Sequence, residues 1–346
     1  MKHIIGANPP AERAEVKTLL VDEEDAGQRL DNFLVRHLKG VPKTHVYRII
    51  RSGEVRINKG RATVDRRVEA GDLIRLPPVR TSQRAKAKAQ AMADCAAGGS
   101  SGEAQRSAPG REFPVLYEDD CVLAIDKPAG VAVHGGSGVS FGVIEQLRMA
   151  RPDAKFLELV HRLDRETSGI LLVAKKRSAL KRLQDQFRER ETGKTYLALV
   201  VGQWPASLKV LDRPLHKFLL PDGARRVKVV ATDHPDAMAS TTLVKRLRSG
   251  EGYTLLEVTI KTGRTHQIRV HLAAEGRPIA GDEKYGDFAL NKALQRTGAP
   301  VPLRRMFLHA WRLQFNHPVS GERMQLLADM PPDLRRFLDH VAPEPS

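Results

Sequence analysis

The nine residues His161-Arg162-Leu163-Asp164-Arg165-Glu166-Thr167-Ser168-Gly169 stand between two largely apolar runs, Phe156 to Val160 and Ile170 to Ala174. Apolar runs of that length read as buried strands, so the nine form a polar loop on a rigid frame. Loops placed in this way are where binding and catalytic groups concentrate, and this one packs Asp164 among two arginines, a histidine and two hydroxyls. Asp164 is the expected chemical centre. The alternative for one Asp in a charged loop is a solvated surface turn, and spacing alone does not decide between the two.

Outward from the loop, the chain reads as a mixed α/β domain that begins at Phe113. On the N-terminal side, Val122 to Ile125 reads as a strand, Lys127-Pro128-Ala129-Gly130 as a turn and Phe141 to Arg151 as a helix. On the C-terminal side, a charged amphipathic helix covers Ser178 to Glu191, and Tyr196 to Val201, Thr241 to Leu247 and Thr254 to Ile260 read as strands. Gly263-Arg264-Thr265-His266-Gln267-Ile268-Arg269-Val270-His271 follows. Its two histidines are five apart rather than four, no Glu follows His266 and the cysteines lie elsewhere, so no zinc pattern forms. His134-Gly135-Gly136-Ser137-Gly138 lacks the Lys-Ser/Thr ending of a phosphate loop and reads as a tight turn.

Near the N-terminus, Val16 to Val21 is a short strand candidate beside an acidic run, and from Gly27 the pattern sharpens. Leu30, Phe33, Leu34 and Leu38 recur at helical spacing, and after Pro42 a second helix turns Val46, Ile49 and Ile50 inward and Lys43, Arg48 and Arg51 outward. Gly53 ends it. Strands follow at Val55 to Asn58 and Leu73 to Leu76. Between Gly27 and Pro78 there are 12 Lys and Arg against 5 Asp and Glu. Residues 79–112 are rich in Ala, Gly, Ser, Lys and Arg and cannot bury enough apolar surface to fold alone, so they read as a flexible tether, with a weakly helical stretch at Arg84 to Ala97. The expected organisation is an extension at 1–26, a small domain at 27–78, the tether at 79–112 and a large domain at 113–340.

The 346 residues exceed a typical single domain of roughly 100–200, and 41% apolar content permits a sizeable core. With 57 Lys and Arg against 41 Asp and Glu, the net charge of +16 favours a polyanionic partner such as nucleic acid. No apolar run approaches the roughly 20 residues that cross a bilayer, Met1 to Arg13 lacks a signal-peptide core, and Cys95 and Cys121 form no metal or redox pair. A monomeric, cytoplasmic protein with no membrane association is expected.

His161-Arg-Leu-Asp164 followed by Arg165-Glu-Thr-Ser-Gly169 resembles the signature of the RluA-type pseudouridine synthases. The segment from Gly27 to Pro78 resembles the small RNA-binding domain of ribosomal protein S-four type, notably in Arg29-Leu-Asp31 and Gly53-Glu-Val-Arg-Ile-Asn58. Together these imply an α+β protein, in which that small domain precedes a pseudouridine synthase catalytic domain with a mainly antiparallel mixed sheet. Val133-His-Gly-Gly-Ser-Gly138, Phe141-Gly-Val-Ile-Glu145 and Leu157-Glu-Leu-Val-His161 resemble family members that modify several uridines of 23S ribosomal RNA. The resemblance implies that RNA as partner and substrate.

The implied reaction is an isomerisation. The bond between the ribose anomeric carbon and a uracil nitrogen breaks, the base turns, and the sugar rejoins at carbon five. No cofactor or metal is required by that chemistry. It needs a carboxylate at the sugar, a hold on the detached base, a group for the proton on carbon five, and exclusion of water. By resemblance, Asp164 is the essential aspartate, Arg269 its ion-pair partner and Tyr196 the residue against the target base. Arg162 takes the place of the flipped base in the RNA stack. In the small domain Arg29, Lys43, Arg48 and Arg51 are the expected RNA contacts. Without the resemblance, Arg269 reads as a strand-surface phosphate contact and Tyr196 as a core residue. The nearest alternative activity is a sibling synthase acting on transfer RNA or another ribosomal uridine. A non-catalytic ribosome-assembly factor is a rival of another class, and binding alone gives no reason for Asp164, Tyr196 and Arg269 in these contexts.

Overall fold

The computed structural model describes residues 16–22, 25–38, 41–78, 109–135, 141–220, 224–296 and 298–344, with the side chain of Lys43 excepted. The chain divides into two units, Met1–Gln105 and Arg106–Ser346.

In the first unit, α1 (Leu30–His37) and α2 (Lys43–Arg51) pack on a four-stranded sheet in the order β1 (Lys17–Leu20), β4 (Leu73–Leu76), β2 (Arg56–Ile57), β3 (Gly60–Arg61). Leu30, Phe33 and Leu34 on α1 and Val46, Ile49 and Ile50 on α2 are buried with Ile57, Ile74 and Leu76 of the sheet, as the three- and four-residue spacing requires. Asn58 and Lys59 both take left-handed backbone (φ 49° and 70°), which suits the two-residue turn between β2 and β3. The strand β1 lies ahead of residue 27. It pairs antiparallel with β4, and Val21 joins the same core, so the folded unit reaches into the stretch assigned to an extension. The strand read at Val16 to Val21 forms, but no pattern local to it records its pairing with β4. The proposed helix at Arg84 to Ala97 and most of the tether lie outside the described residues.

The second unit is built on a mainly antiparallel mixed sheet, as expected. Its order is β10 (Val210–Asp212), β13 (Thr241–Gly250), β14 (Tyr253–Ile260), β9 (Gly193–Val201), β15 (Leu308–Asn316), β8 (Ser168–Ala174), β6 (Val122–Lys127), β5 (Val115–Glu118). β16 (Arg323–Leu327) pairs with β15, and β7 (Glu158–Leu159) pairs with β8. The β15–β8 pair is parallel and the other pairs are antiparallel. All seven residues of β8 are buried. Leu171 and Val173 pack with Val143 and Leu147 of α3 (Val143–Ala150), while Ile170 and Leu172 pack with Ala179 and Leu183 of α4 (Arg177–Glu189). A strand covered on both faces is continuously apolar, which is why the run after Gly169 is legible. The remaining helices are α5 (Gln267–Ala274), α6 (Phe288–Leu294) and α7 (Pro332–Val341), and a separate hairpin joins β11 (Leu215–Leu219) to β12 (Arg225–Val229). Among the described residues no helix is long and apolar enough to cross a membrane.

One expectation and one alternative reading are corrected. The run Phe156 to Val160 forms only the two-residue β7, which ends where the ring of His161 turns back and its Nε2 accepts the Leu172 N–H (3.1 Å) in place of a strand carbonyl. That ring is neutral, since burial pushes its pKa down to about 4. The stretch around Arg269 forms a helix rather than a strand surface, and Arg269 is buried on it.

Candidate active site

The loop carrying Asp164 is held from below. Lys127 is fully buried, and its ammonium donates to the carbonyls of Pro128 (2.8 Å), Val131 (2.9 Å) and Arg165 (3.1 Å). Burial pulls its pKa down to about 7, while three acceptors match the three protons of the charged form. The Gly130 N–H donates to the same Arg165 carbonyl (2.9 Å), and the Thr167 N–H closes a turn onto the Asp164 carbonyl (3.1 Å). Gly169 has φ 108°, and a Cβ there would lie 2.3 Å from the Ala310 oxygen. Only glycine lets β8 approach β15 at this point, which accounts for the Ser168-Gly169 ending of the loop. Ser168 bonds His309 Nδ1 (2.9 Å) beneath it.

The same strand β15 runs beside Tyr196. Between His309 and Arg312 it carries one residue more than β9 does between Leu197 and Thr195, so the bulge lies opposite Tyr196. Tyr196 lines a cleft with Arg162, Asp164, His266 and Arg269. Burial, then the nearby Asp164 carboxylate, push its phenol well above the ordinary range, so it stays protonated.

Asp164 and Arg269 are 105 residues apart in sequence and meet as Arg269 Nη1 to Asp164 Oδ2 at 3.1 Å. The guanidinium is anchored from behind, where Nε and Nη2 each donate to the Asp282 carboxylate at 2.8 Å. Side-chain exposure is 20% for Asp164, 8% for Arg269 and 1% for Asp282, so the pair faces the cleft and its anchor is internal. Burial alone would lower the Arg269 pKa, but Asp282 and then Asp164 hold it above its ordinary value. Burial likewise opposes the Asp282 charge, yet Arg269 and the N–H groups of Lys284 and Tyr285 hold that carboxyl below its usual range.

Helix α5 sorts its polar side chains by face. Gln267 and His271, four apart, bond Thr242 and their neighbours and join the helix to β13. His266 and Arg269, three apart, face Asp164. His266 takes left-handed backbone (φ 54°, ψ 20°), a conformation that costs a non-glycine residue about 1–3 kcal/mol. Its Nε2 is 3.8 Å from Asp164 Oδ2, and its Nδ1 is 2.8 Å from the Tyr285 hydroxyl. The Tyr285 ring also lies 5.2 Å from the Arg269 guanidinium carbon. Sequence reasoning missed Asp282, His266, Tyr285 and Lys127 as parts of this site, since the first three sit in no pattern that separates them from surface residues and Lys127 reads as part of a turn.

The residues expected to touch RNA are placed as follows. Arg162 is exposed at the rim of the cleft and makes no side-chain hydrogen bond or ion pair among the described residues. In the first unit, Arg29 is held by both oxygens of Asp31 (3.1 Å each) yet is 45% exposed. Arg48 is exposed with Glu54 at 3.8 Å, Arg51 is exposed, and Lys43 begins α2 with its side chain outside the description. Within His134–Gly138, residues 136–138 are also outside it. Away from the cleft, His216, His234 and Asp236 gather their potential ligand atoms within 4.8 Å. His234 Nδ1 there already accepts the Asp236 N–H (3.1 Å).

A loop-borne carboxylate paired with a buried arginine beside a protonated tyrosine, on a mainly antiparallel sheet and preceded by a small basic unit, suits an enzyme that acts on RNA. The family model described as RNA pseudouridylate synthase matches residues 121–274, and the S4 domain model matches residues 28–74. The chain belongs to the RNA pseudouridylate synthases. Among its relatives, the ribosomal large subunit pseudouridine synthase C of Pasteurella multocida (strain Pm70) is 47% identical and covers 93% of this chain and 93% of its own. The protein of that name from Escherichia coli (strain K12) is also 47% identical, over 95% of this chain and 98% of its own. Among solved structures, human RNA pseudouridylate synthase domain containing 4 is 27% identical with a TM-score of 0.53, covering 65% of this chain and 91% of that one.

Proposed function

We propose that this protein converts specific uridines of 23S ribosomal RNA to pseudouridine, with Asp164 as the catalytic carboxylate. The observation that carries the chemistry is the Asp164–Arg269 ion pair, open to the cleft on one side and anchored by Asp282 on the other. A carboxylate held in place by a buried cation is preorganised to act at the ribose. Tyr196 lies against the uracil and holds it while the base turns. Arg162, exposed at the rim and without a side-chain partner among the described residues, stacks in the space left by the extruded nucleotide, which helps to offset the cost of unstacking. The target RNA is supported by relatives named for the large ribosomal subunit that match nearly the whole chain. Arg29, Lys43, Arg48 and Arg51 of the first unit supply backbone contacts to that RNA. The protein acts as a monomer in the cytoplasm, where the ribosome is assembled.

Mapping chemically labelled pseudouridines in ribosomal RNA, from cells with and without this protein, tests the substrate. Asp164→Ala tests the chemistry. We expect it to abolish conversion and leave RNA affinity largely intact, because one carboxylate carries the reaction while many basic groups carry binding. Turnover near wild type in Asp164→Ala would refute the assignment.

A further inference from the structure

Both groups that converge on Asp164 approach one oxygen. Arg269 Nη1 is 3.1 Å and His266 Nε2 is 3.8 Å from Oδ2, and among the described residues nothing bonds Oδ1. The protonation of His266 follows from its other neighbour. The Tyr285 hydroxyl accepts the Val227 N–H at 3.1 Å, so its own proton is free to go to His266 Nδ1 at 2.8 Å. A neutral imidazole with Nδ1 accepting carries its proton on Nε2, the nitrogen that faces the carboxylate. The opposite tautomer would set a lone pair against the carboxylate and leave the Tyr285 proton without an acceptor. Both ends therefore select one tautomer.

We infer that His266, oriented by Tyr285, is a positioning residue: its neutral Nε2–H turns its positive end toward Oδ2 of Asp164 from 3.8 Å, beyond hydrogen-bond reach, while Arg269 bonds that oxygen, and the two leave Oδ1 as the oxygen presented to the ribose. The inference rests on the reading of Asp164 as the catalytic carboxylate. It gives the strained backbone at His266 a purpose, because the left-handed turn ahead of α5 brings the ring between Asp164 and Tyr285. It also joins hairpin β11–β12, through the Val227 N–H, to the catalytic carboxylate. Burial pushes the His266 pKa well below the ordinary range, Arg269 and Lys284 press the same way, and Asp164 and Asp282 oppose them. Arg226 lies beyond, 5.5 Å from the Tyr285 ring centre. The hydroxyl on Nδ1 adds to this set of groups by occupying the lone pair that would take a second proton.

Tyr285→Phe removes only that hydroxyl. The assay is tritium release from carbon five of uridine in unmodified large-subunit RNA, with full-length enzyme at saturation across pH. The free Nδ1 then takes up a proton more readily, and an imidazolium would pair with Asp164, so the acid limb of the saturated rate should rise by about one pH unit while RNA affinity is unchanged. A packing role alone would not move that limb. His266→Leu should lower the saturated rate by about 10-fold to 100-fold with little change in affinity, and His266→Gln, which keeps an N–H donor, should recover part of it. A Tyr285→Phe profile superimposable on that of the wild type, or an unimpaired His266→Leu, would overturn the inference. If His266→Leu fails to fold by circular dichroism, the Tyr285→Phe profile decides alone. Absence of tritium release by the wild type would instead strike the activity itself.

Discussion

Asp282→Asn is the most telling single change, because it alters a residue that touches no substrate and yet holds the arginine that pairs with Asp164. The carboxylate is 1% exposed and takes Arg269 Nε on Oδ2 and Nη2 on Oδ1 at 2.8 Å each, with the Lys284 and Tyr285 N–H groups also on Oδ1 at 2.8 and 3.0 Å. Asparagine keeps the shape but offers one oxygen and sets an NH2 group against a donor. The guanidinium then stays buried with Asp164 as its remaining anion. Removing one partner of a buried ion pair costs about 3–5 kcal/mol, most of it from the stranded charge. For a unit of this size each kcal/mol is worth about 2–4 °C, so the melting transition of the catalytic unit should fall by about 6–20 °C. The Asp282 pKa is depressed in the fold, so its contribution is fully present above the ordinary carboxylate range and is lost as pH falls through the folded value. The deficit of the variant should therefore be largest at neutral pH and shrink on acidification. Circular dichroism melts of the full chain at neutral and acidic pH measure this, and a parallel tritium-release assay should show a reduced saturated rate. A melting change under about 2 °C at neutral pH would refute the reasoning.

Two further outcomes follow from the same geometry. Lys127→Met keeps the stem but strands the carbonyls of Pro128 and Val131 and leaves that of Arg165 with the Gly130 N–H alone, so it should cost about 3 kcal/mol and lower the saturated rate by loosening the Asp164 loop, checked by melts and single-turnover kinetics. Binding of this +16 protein to RNA should weaken steeply with salt. The exposed Arg51→Ala should flatten the salt slope while preserving the saturated rate, whereas Arg269→Ala should leave the slope almost unchanged and lose catalysis; the reverse pattern would make Arg269 a phosphate contact.

What the sequence determined by itself is what depends on neighbours along the chain. The helical spacing of Leu30, Phe33 and Leu34, the doubly apolar β8 and the polar loop after Val160 are local patterns, and each forms within two residues of where it was read. The loop's motif also singles out Asp164, and the resemblance adds Arg269 and Tyr196. Tertiary structure decided the rest. Arg269 reads as a surface contact until α5 turns it inward onto Asp282, a residue whose own stretch has no periodicity to mark it. Gly169 has its reason in Ala310 of a strand far along the chain, Tyr196 lies opposite a bulge in that same strand, and the tautomer of His266 depends on Tyr285 and on a hairpin N–H. These are pairings across 13 to 141 residues. A periodic pattern records which face of an element is buried; it carries no record of which distant element buries it, because many partners satisfy the same apolar face, while a hydrogen bond or an ion pair needs one.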